Sequence, residues 1–256
     1  MGASEPDLTG KRVIVTGGAS GMGRGIVSGL SARGASVVSF DLNAEAGKDA
    51  ADTAGARFVQ VDVTDQASID AAFAAAAEHL GGLDVLVHAA GVAPGAPAEQ
   101  TDLDTWDTCI AVNATGTFLT NVAAWRLMHE HGGKIIDFAS GAGITGLPGK
   151  SAYAAAKGAV VAWVRSIAVE WAKHGITVNA IAPSIWTPMY DRTRASMTPE
   201  QLAAHDADLA ARILIGGKLG DVDSDLVPVI AFLVSDNSRF ITGQILPVDG
   251  GLLMMR

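Results

Sequence analysis

Seven short apolar runs, separated by stretches of helical pattern, constrain this chain more than any other feature. They are RVIVT (12–16), ASVVSF (35–40), ARFVQV (56–61), LDVLVHA (83–89), KIIDFA (134–139), ITVNAIA (176–182) and QILPV (244–248). Strands that are apolar throughout, rather than on alternate residues, belong to sheets covered on both faces, and such sheets are parallel. Helical patterns at 23–34, 43–55, 66–80, 102–131, 151–174 and 223–235 supply the crossovers, the fourth interrupted near Asn113. Right-handed crossovers then predict an α/β fold: a doubly wound, parallel seven-stranded sheet flanked by helices on both faces. No Pro-, Gly- or Ser-rich linker divides the 256 residues, so 1–256 is expected to be a single domain with a substantial core. The stretch 184–222 breaks the rhythm after the sixth strand, on the edge where such sheets bind ligands, and is expected to be a substrate lid.

Composition excludes several alternatives. Hydrophobic residues make up 49%, too many for a disordered chain. A formal net charge of -9 argues against a nucleic-acid partner, because phosphate requires a basic face. Cys109 is the only cysteine, and the histidines lack metal-ligand spacing, so neither a disulfide nor a metal is expected. His129 and His131 read as helix-end residues. The sequence has no run of 18 apolar residues, and its start lacks an apolar signal core or a myristoylation pattern, so a cytoplasmic protein without a membrane partner is expected.

TGGASGMG (16–23) joins the first strand to the first helix. Gly17, Gly21 and Gly23, with Ser20 and Met22 between them, would let the backbone turn tightly against a pyrophosphate. The helix N-terminus would then supply amide donors and a favourable dipole. Asp41 ends the second strand, where a carboxylate accepts hydrogen bonds from an adenosine ribose and repels a 2′-phosphate. Neither Leu42 nor Ser20 is basic, so NAD is the expected cofactor rather than NADP; the alternative for Asp41 is a helix cap. Asp62 and Val63 end the third strand and suit an adenine amino group and ring face, unless Asp62 or Asp65 caps the next helix.

Tyr153 and Lys157 lie four residues apart in SAYAAAKGAVVAWV, on one helix face, with Ser140 upstream. A phenol of pKa about 10 is a poor base at neutral pH, and a nearby cation would lower that value. A tyrosine so tuned exchanges a proton with an alcohol or ketone oxygen, which Ser140 could hold.

Together these residues resemble the short-chain dehydrogenase/reductase family over nearly the whole chain. Thr16, Gly17, Gly21 and Gly23 meet its TGxxxGxG pattern; Asn113, Ser140, Tyr153 and Lys157 match its catalytic tetrad in order; PVDGG (247–251) is similar to its last strand and turn. The resemblance implies a Rossmann-like domain, usually in a homodimer or homotetramer. It implies Tyr153 as general acid/base, Lys157 lowering its pKa and bonding the nicotinamide ribose, Ser140 orienting the substrate, and Asn113 holding a water that links Lys157 to solvent. It also places Ala90 and Gly91 of HAAG, where the family has NNAG, and Pro183, Ile185 and Thr187 beside the nicotinamide. Thr187 would bond the carboxamide and Ile185 would lie on the ring, although this turn is one residue shorter than usual. His88, in place of the family's asparagine, reads as structural.

The substrate end offers Val92, Pro94, Ile144, Leu147, Trp186, Met189 and Tyr190, with Lys150, Arg192 and Arg194 facing either solvent or substrate. A small neutral or apolar secondary alcohol or ketone is expected. Thr198 before Pro199 and Glu200 predicts a lid helix. The Ala-rich helices 102–131 and 151–174 and the terminal LLMMR are candidates for a subunit interface. Two further possibilities are a 3-oxoacyl thioester reductase and a non-catalytic NAD-binding regulatory protein.

Overall fold

A computed structural model of the chain describes residues 6–254. Among the described residues there are seven strands: β1 (Arg12–Thr16), β2 (Ser36–Asp41), β3 (Arg57–Gln60), β4 (Val85–His88), β5 (Gly133–Phe138), β6 (Ile176–Pro183) and β7 (Ile245–Val248). They form one sheet in the order β3-β2-β1-β4-β5-β6-β7, and every pairing is parallel. β4 is buried at all four positions, with Leu86 in the core on one face of the sheet and Val85 and Val87 in the core on the other.

The helices are α1 (Gly21–Ser31), α2 (Ala44–Ala54), α3 (Gln66–Leu80), α4 (Leu103–Cys109), α5 (Gly116–Met128), α6 (Gly141–Thr145), α7 (Ser151–Trp171), α8 (Pro188–Ala195), α9 (Pro199–Arg212) and α10 (Val227–Val234). α3, α5 and α7 cover one face of the sheet, and α1 and α10 cover the other. Their starts follow from local chemistry. Asn43, Asp65 and Asp102 accept a backbone N–H at the starts of α2, α3 and α4, which settles the capping question in favour of Asp65 over Asp62. The interruption expected near Asn113 is a wide π turn over Ile110–Thr115, between α4 and α5.

By length and composition, Ser151–His174 is apolar enough to cross a membrane. In this fold its Val160, Val164 and Ile167 pack in the core beneath the sheet. The segment 184–222 holds two helices. α9 was expected, and its capping box is complete: Thr198 takes the Gln201 N–H, and Gln201 returns a bond to the Thr198 N–H. α8 was not foreseen. Neither helix has a fully buried residue, while Ile213, just beyond α9, is buried. Of the terminal LLMMR, Leu252 and Leu253 are half-buried and Met254 is exposed; 255–256, like 1–5, lie outside the described residues.

Candidate active site

Strand order reverses between β1 and β4, and a crevice opens there at the carboxyl ends of the strands. The cleft has a volume of about 400 Å³, within the range of small-molecule sites. Gly17, Ser20, Gly21, Met22 and Gly23 form one wall, with Asp41, Leu42, Asp62 and Val63 beside them. Ala90, Gly91, Asn113, Ser140, Tyr153, Lys157, Pro183 and Thr187 line the rest.

The loop after β1 fits a dinucleotide. Gly17 has φ +72, and a Cβ there would lie 2.8 Å from the Ala90 nitrogen. Only glycine allows this turn and this approach. Ser20 starts α1 but makes no capping bond with its hydroxyl, so first-turn amides remain available to an anion. Asp41 is held from both sides: Oδ2 accepts from Ala19 N at 3.0 Å and Oδ1 from Asn43 N at 2.9 Å. Its carboxylate is thereby fixed at the rim next to Leu42, which is 63% exposed. Asp62 accepts from the N–H and hydroxyl of Thr64. A Cβ on Gly91 would lie 2.8 Å from Asn113 Oδ1 and 3.6 Å from Lys157 Nζ, so the backbone passes close to both groups.

Ser140 begins α6, with its hydroxyl accepting from Ala142 N at 3.2 Å. Tyr153 and Lys157 sit on the first turns of α7. Lys157 is 4% exposed, its Nζ donates to the Phe138 carbonyl at 2.7 Å, and it stands 5.9 Å from the centre of the Tyr153 ring. Burial pushes the ammonium down to about 8, an effect that the Asp137 carboxyl partly offsets. Burial also raises the Tyr153 phenol, against a lowering by the Ser140 hydroxyl. The lowering of the phenol expected from the Tyr–Lys spacing is not found in this geometry, where the ammonium is turned to the Phe138 carbonyl. Asn113 is fully buried; its Nδ2 donates to Val92 and Cys109 carbonyls and its Oδ1 accepts from Val92 N. It thus pins the strand-four loop to the π turn.

One expected contact is not made. Ile185 is 8% exposed, belongs to the core cluster beneath β6, and is absent from the cleft wall. The reason is a bridge to Gly220, with Trp186 N bonded to Gly220 O and Gly220 N to Ser184 O, which turns Ile185 inward. Thr187 stays on the wall, where its hydroxyl caps α8. Trp186 and Tyr190 do not line the cleft either. They pack edge to face, Arg194 stacks on both, Trp186 bonds Asp191, Tyr190 bonds His205, and Arg194 pairs with Asp206 of α9. Lys150 reaches the Ala93 carbonyl. Pro94, Ile144 and Leu147 are likewise off the wall.

Ala93, Val112 and Pro188 are wall residues that sequence reasoning did not assign, and Arg192, left open between solvent and substrate, lies on the wall with them. Thr187-Pro188 is a helix-start signal. Applied there, it puts Pro188, Met189 and Arg192 on one face of α8. His88 has the structural role expected, with Nδ1 2.9 Å from Thr16 Oγ1 and 3.0 Å from Thr120 Oγ1. Burial pushes its ring down to about 3, so it is neutral at physiological pH.

A family model described as "Enoyl-(Acyl carrier protein) reductase" matches residues 17–253. The chain belongs to the short-chain dehydrogenase/reductase family. Among its relatives in that family is the L-2,3-butanediol dehydrogenase of Corynebacterium glutamicum, 39% identical over 95% of this chain and 98% of that protein. The 2-(S)-hydroxypropyl-CoM dehydrogenase 3 of Xanthobacter autotrophicus is 35% identical over 96% and 97%. Among solved structures, a levodione reductase superposes with TM-score 0.89 at 31% identity, over 95% of this chain and 98% of that one. As a short-chain dehydrogenase/reductase, the chain is an oxidoreductase acting on CH–OH groups with a nicotinamide dinucleotide.

Proposed function

We propose that this short-chain dehydrogenase/reductase interconverts a small secondary alcohol and its ketone with NAD(H), using Tyr153 as general acid/base. One observation carries the reading: Ser140, Tyr153 and Lys157 line the same cleft as the glycine loop and Asp41. When bound, the nicotinamide accepts or supplies the hydride. In oxidation the Tyr153 Oη takes the proton of the alcohol hydroxyl; in reduction it returns a proton to the ketone oxygen. Ser140 Oγ donates a hydrogen bond to that same oxygen and fixes its place. Lys157 Nζ, 5.9 Å from the centre of the Tyr153 ring, holds positive charge as the phenol ionises and would bond the nicotinamide ribose. Asn113 anchors the loop carrying Gly91 and Val92.

Asp41 supports NAD over NADP, because a fixed carboxylate at the end of β2 accepts ribose hydroxyls and repels a 2′-phosphate. The same carboxylate counts against the 3-oxoacyl thioester reductase. Val92, Ala93, Val112 and Met189 support a small, neutral or apolar substrate, with Arg192 at the exposed rim. α8 and α9 form the lid in this reading, latched together through Arg194 and Asp206. The outer faces of α5 and α7, where Phe118 stands 43% exposed beside Trp163, are the proposed homodimer or homotetramer interface. The test is coenzyme-dependent oxidation of a panel of secondary alcohols at alkaline pH, with NAD and NADP compared. Oxidation with NAD preferred supports the reading. NADH binding without turnover of any member would favour a regulatory, non-catalytic role.

A further inference from the structure

Four charged side chains line the dinucleotide cleft: Asp41, Asp62, Lys157 and Arg192. The pyrophosphate of a nicotinamide dinucleotide is a dianion, and the chain that must take it in has a formal net charge of -9. The glycine loop answers that charge with no cationic side chain of its own. It offers Ser20 and Met22, and the next residue after Gly23, Arg24, pairs with Asp49 at 3.0 Å and is absent from the wall. The first-turn amides of α1 supply hydrogen bonds but only a partial charge. Lys157 is committed elsewhere, buried with its Nζ on the Phe138 carbonyl at 2.7 Å and beside Tyr153.

Arg192 is placed differently. It lies on α8, exposed to solvent, and among the described residues its guanidinium has no hydrogen bond and no carboxylate partner. Its neighbours in sequence are engaged. Asp191 accepts from Trp186 Nε1 at 2.7 Å, and Arg194 bonds Asp206 of α9 and stacks on Trp186 and Tyr190. Residues two apart on a helix do not share a face. Arg194 therefore serves the latch to α9, while Arg192 is turned to the cleft with Pro188 and Met189.

α8 begins against the glycine loop. A Cβ on Gly21 would stand 3.8 Å from the Thr187 side chain and 3.9 Å from Pro188 Cδ. Thr187 fixes this start, since its hydroxyl accepts from Tyr190 N at 3.3 Å and its carbonyl from Asp191 N at 3.0 Å. Arg192 comes four residues after Pro188, so its Cβ is about 5–6 Å further along the same helix face. The one unpaired cation on the wall thus stands a single turn from the point where α8 meets the loop.

We propose that Arg192 is a binding residue for the coenzyme: its guanidinium bonds the pyrophosphate from the α8 side, while the glycine loop holds it with backbone amides. A planar guanidinium fork matches two phosphate oxygens at once. The assignment also explains an odd feature of the wall. With Arg192 on the coenzyme, the substrate meets Val92, Ala93, Val112 and Met189, which suit a neutral molecule. The inference rests on the cleft being a dinucleotide site. It does not depend on the choice between NAD and NADP, on Tyr153 or on turnover.

Calorimetric titration of the full chain with NADH, ADP-ribose and adenosine tests it. ADP-ribose keeps the pyrophosphate and lacks the nicotinamide; adenosine lacks both. Arg192→Gln is expected to weaken NADH and ADP-ribose alike by about tenfold, the size of one charge-assisted hydrogen bond at an exposed rim, with adenosine within about twofold of the wild type. Arg192→Lys keeps the charge and is expected to recover most of the loss. Added salt is expected to weaken ADP-ribose binding more in the wild type than in Arg192→Gln. Wild-type affinity of Arg192→Gln for ADP-ribose would overturn the proposal, and a raised KM for a hydroxy acid in that case would give Arg192 to the substrate. An equal loss for adenosine would also overturn it, as the mark of a general distortion. A wild type that binds neither NADH nor ADP-ribose would instead remove the dinucleotide assignment, and this proposal with it.

Discussion

Replacing Asp41 by Asn is a sharp test of the coenzyme assignment, because the structure gives both its cost and its gain. Each carboxylate oxygen accepts one backbone N–H, from Ala19 and from Asn43. The amide oxygen of Asn can keep one of these bonds; its NH₂ then faces the other N–H. One charge-assisted bond is lost, so stability should fall by about 1.5–3 kcal/mol. The gain is removal of a negative charge facing a 2′-phosphate of charge near −2. Two unit charges about 4 Å apart repel by about 1 kcal/mol in water and about 4 kcal/mol at the protein surface. In this open, half-exposed rim, doubling the lower figure and halving the upper sum gives roughly 2–4 kcal/mol. The NAD-to-NADP ratio of kcat/KM should therefore fall by roughly 30- to 700-fold. The assay is steady-state turnover with each coenzyme, beside thermal unfolding to confirm the fold. A ratio changed by less than about threefold in a folded variant would refute the assignment of Asp41.

Three further outcomes follow from the same geometry. Gly91→Ala puts a Cβ 2.8 Å from Asn113 Oδ1, so NADH affinity, read by fluorescence titration, should drop at least about tenfold. Ile185→Ala should cost about 2–5 kcal/mol in denaturant unfolding yet leave NADH affinity within about twofold, since Ile185 packs in the core rather than on the nicotinamide. His88 titrates at about 3 when folded and near 6.5 when unfolded, so below 6.5 the unfolded state binds the extra proton and stability falls as pH falls. The wild type should accordingly lose up to about 1.4 kcal/mol per pH unit between 6 and 4 relative to His88→Asn, measured by urea unfolding at each pH.

Much of this was legible in the chain. β1, β4 and β5 are covered on both faces, and their apolar runs are visible without coordinates. Tyr153, Lys157, Ser140 and Asn113 fall on one cleft because each sits just beyond a strand or on the helix that follows it. Ile185 went wrong because its direction depends on Gly220, far along the chain, and no local signal encodes that bridge. α8 was missed because it is short and polar and depends on the Thr187 cap and on Arg194 reaching α9. That His88 and Asp137 stand opposite one another on β4 and β5 is a matter of strand register, which local pattern does not reveal.

The central claim is that Tyr153 transfers the proton in an NAD-dependent alcohol oxidoreductase. Tyr153→Phe keeps the ring and removes only the hydroxyl. With butane-2,3-diol and other secondary alcohols as probes, NADH formation by the wild type should be lost by about 10²- to 10⁴-fold in the variant, with NADH affinity within a few fold. A variant that binds NADH and oxidises the same alcohol at the wild-type rate would contradict the account.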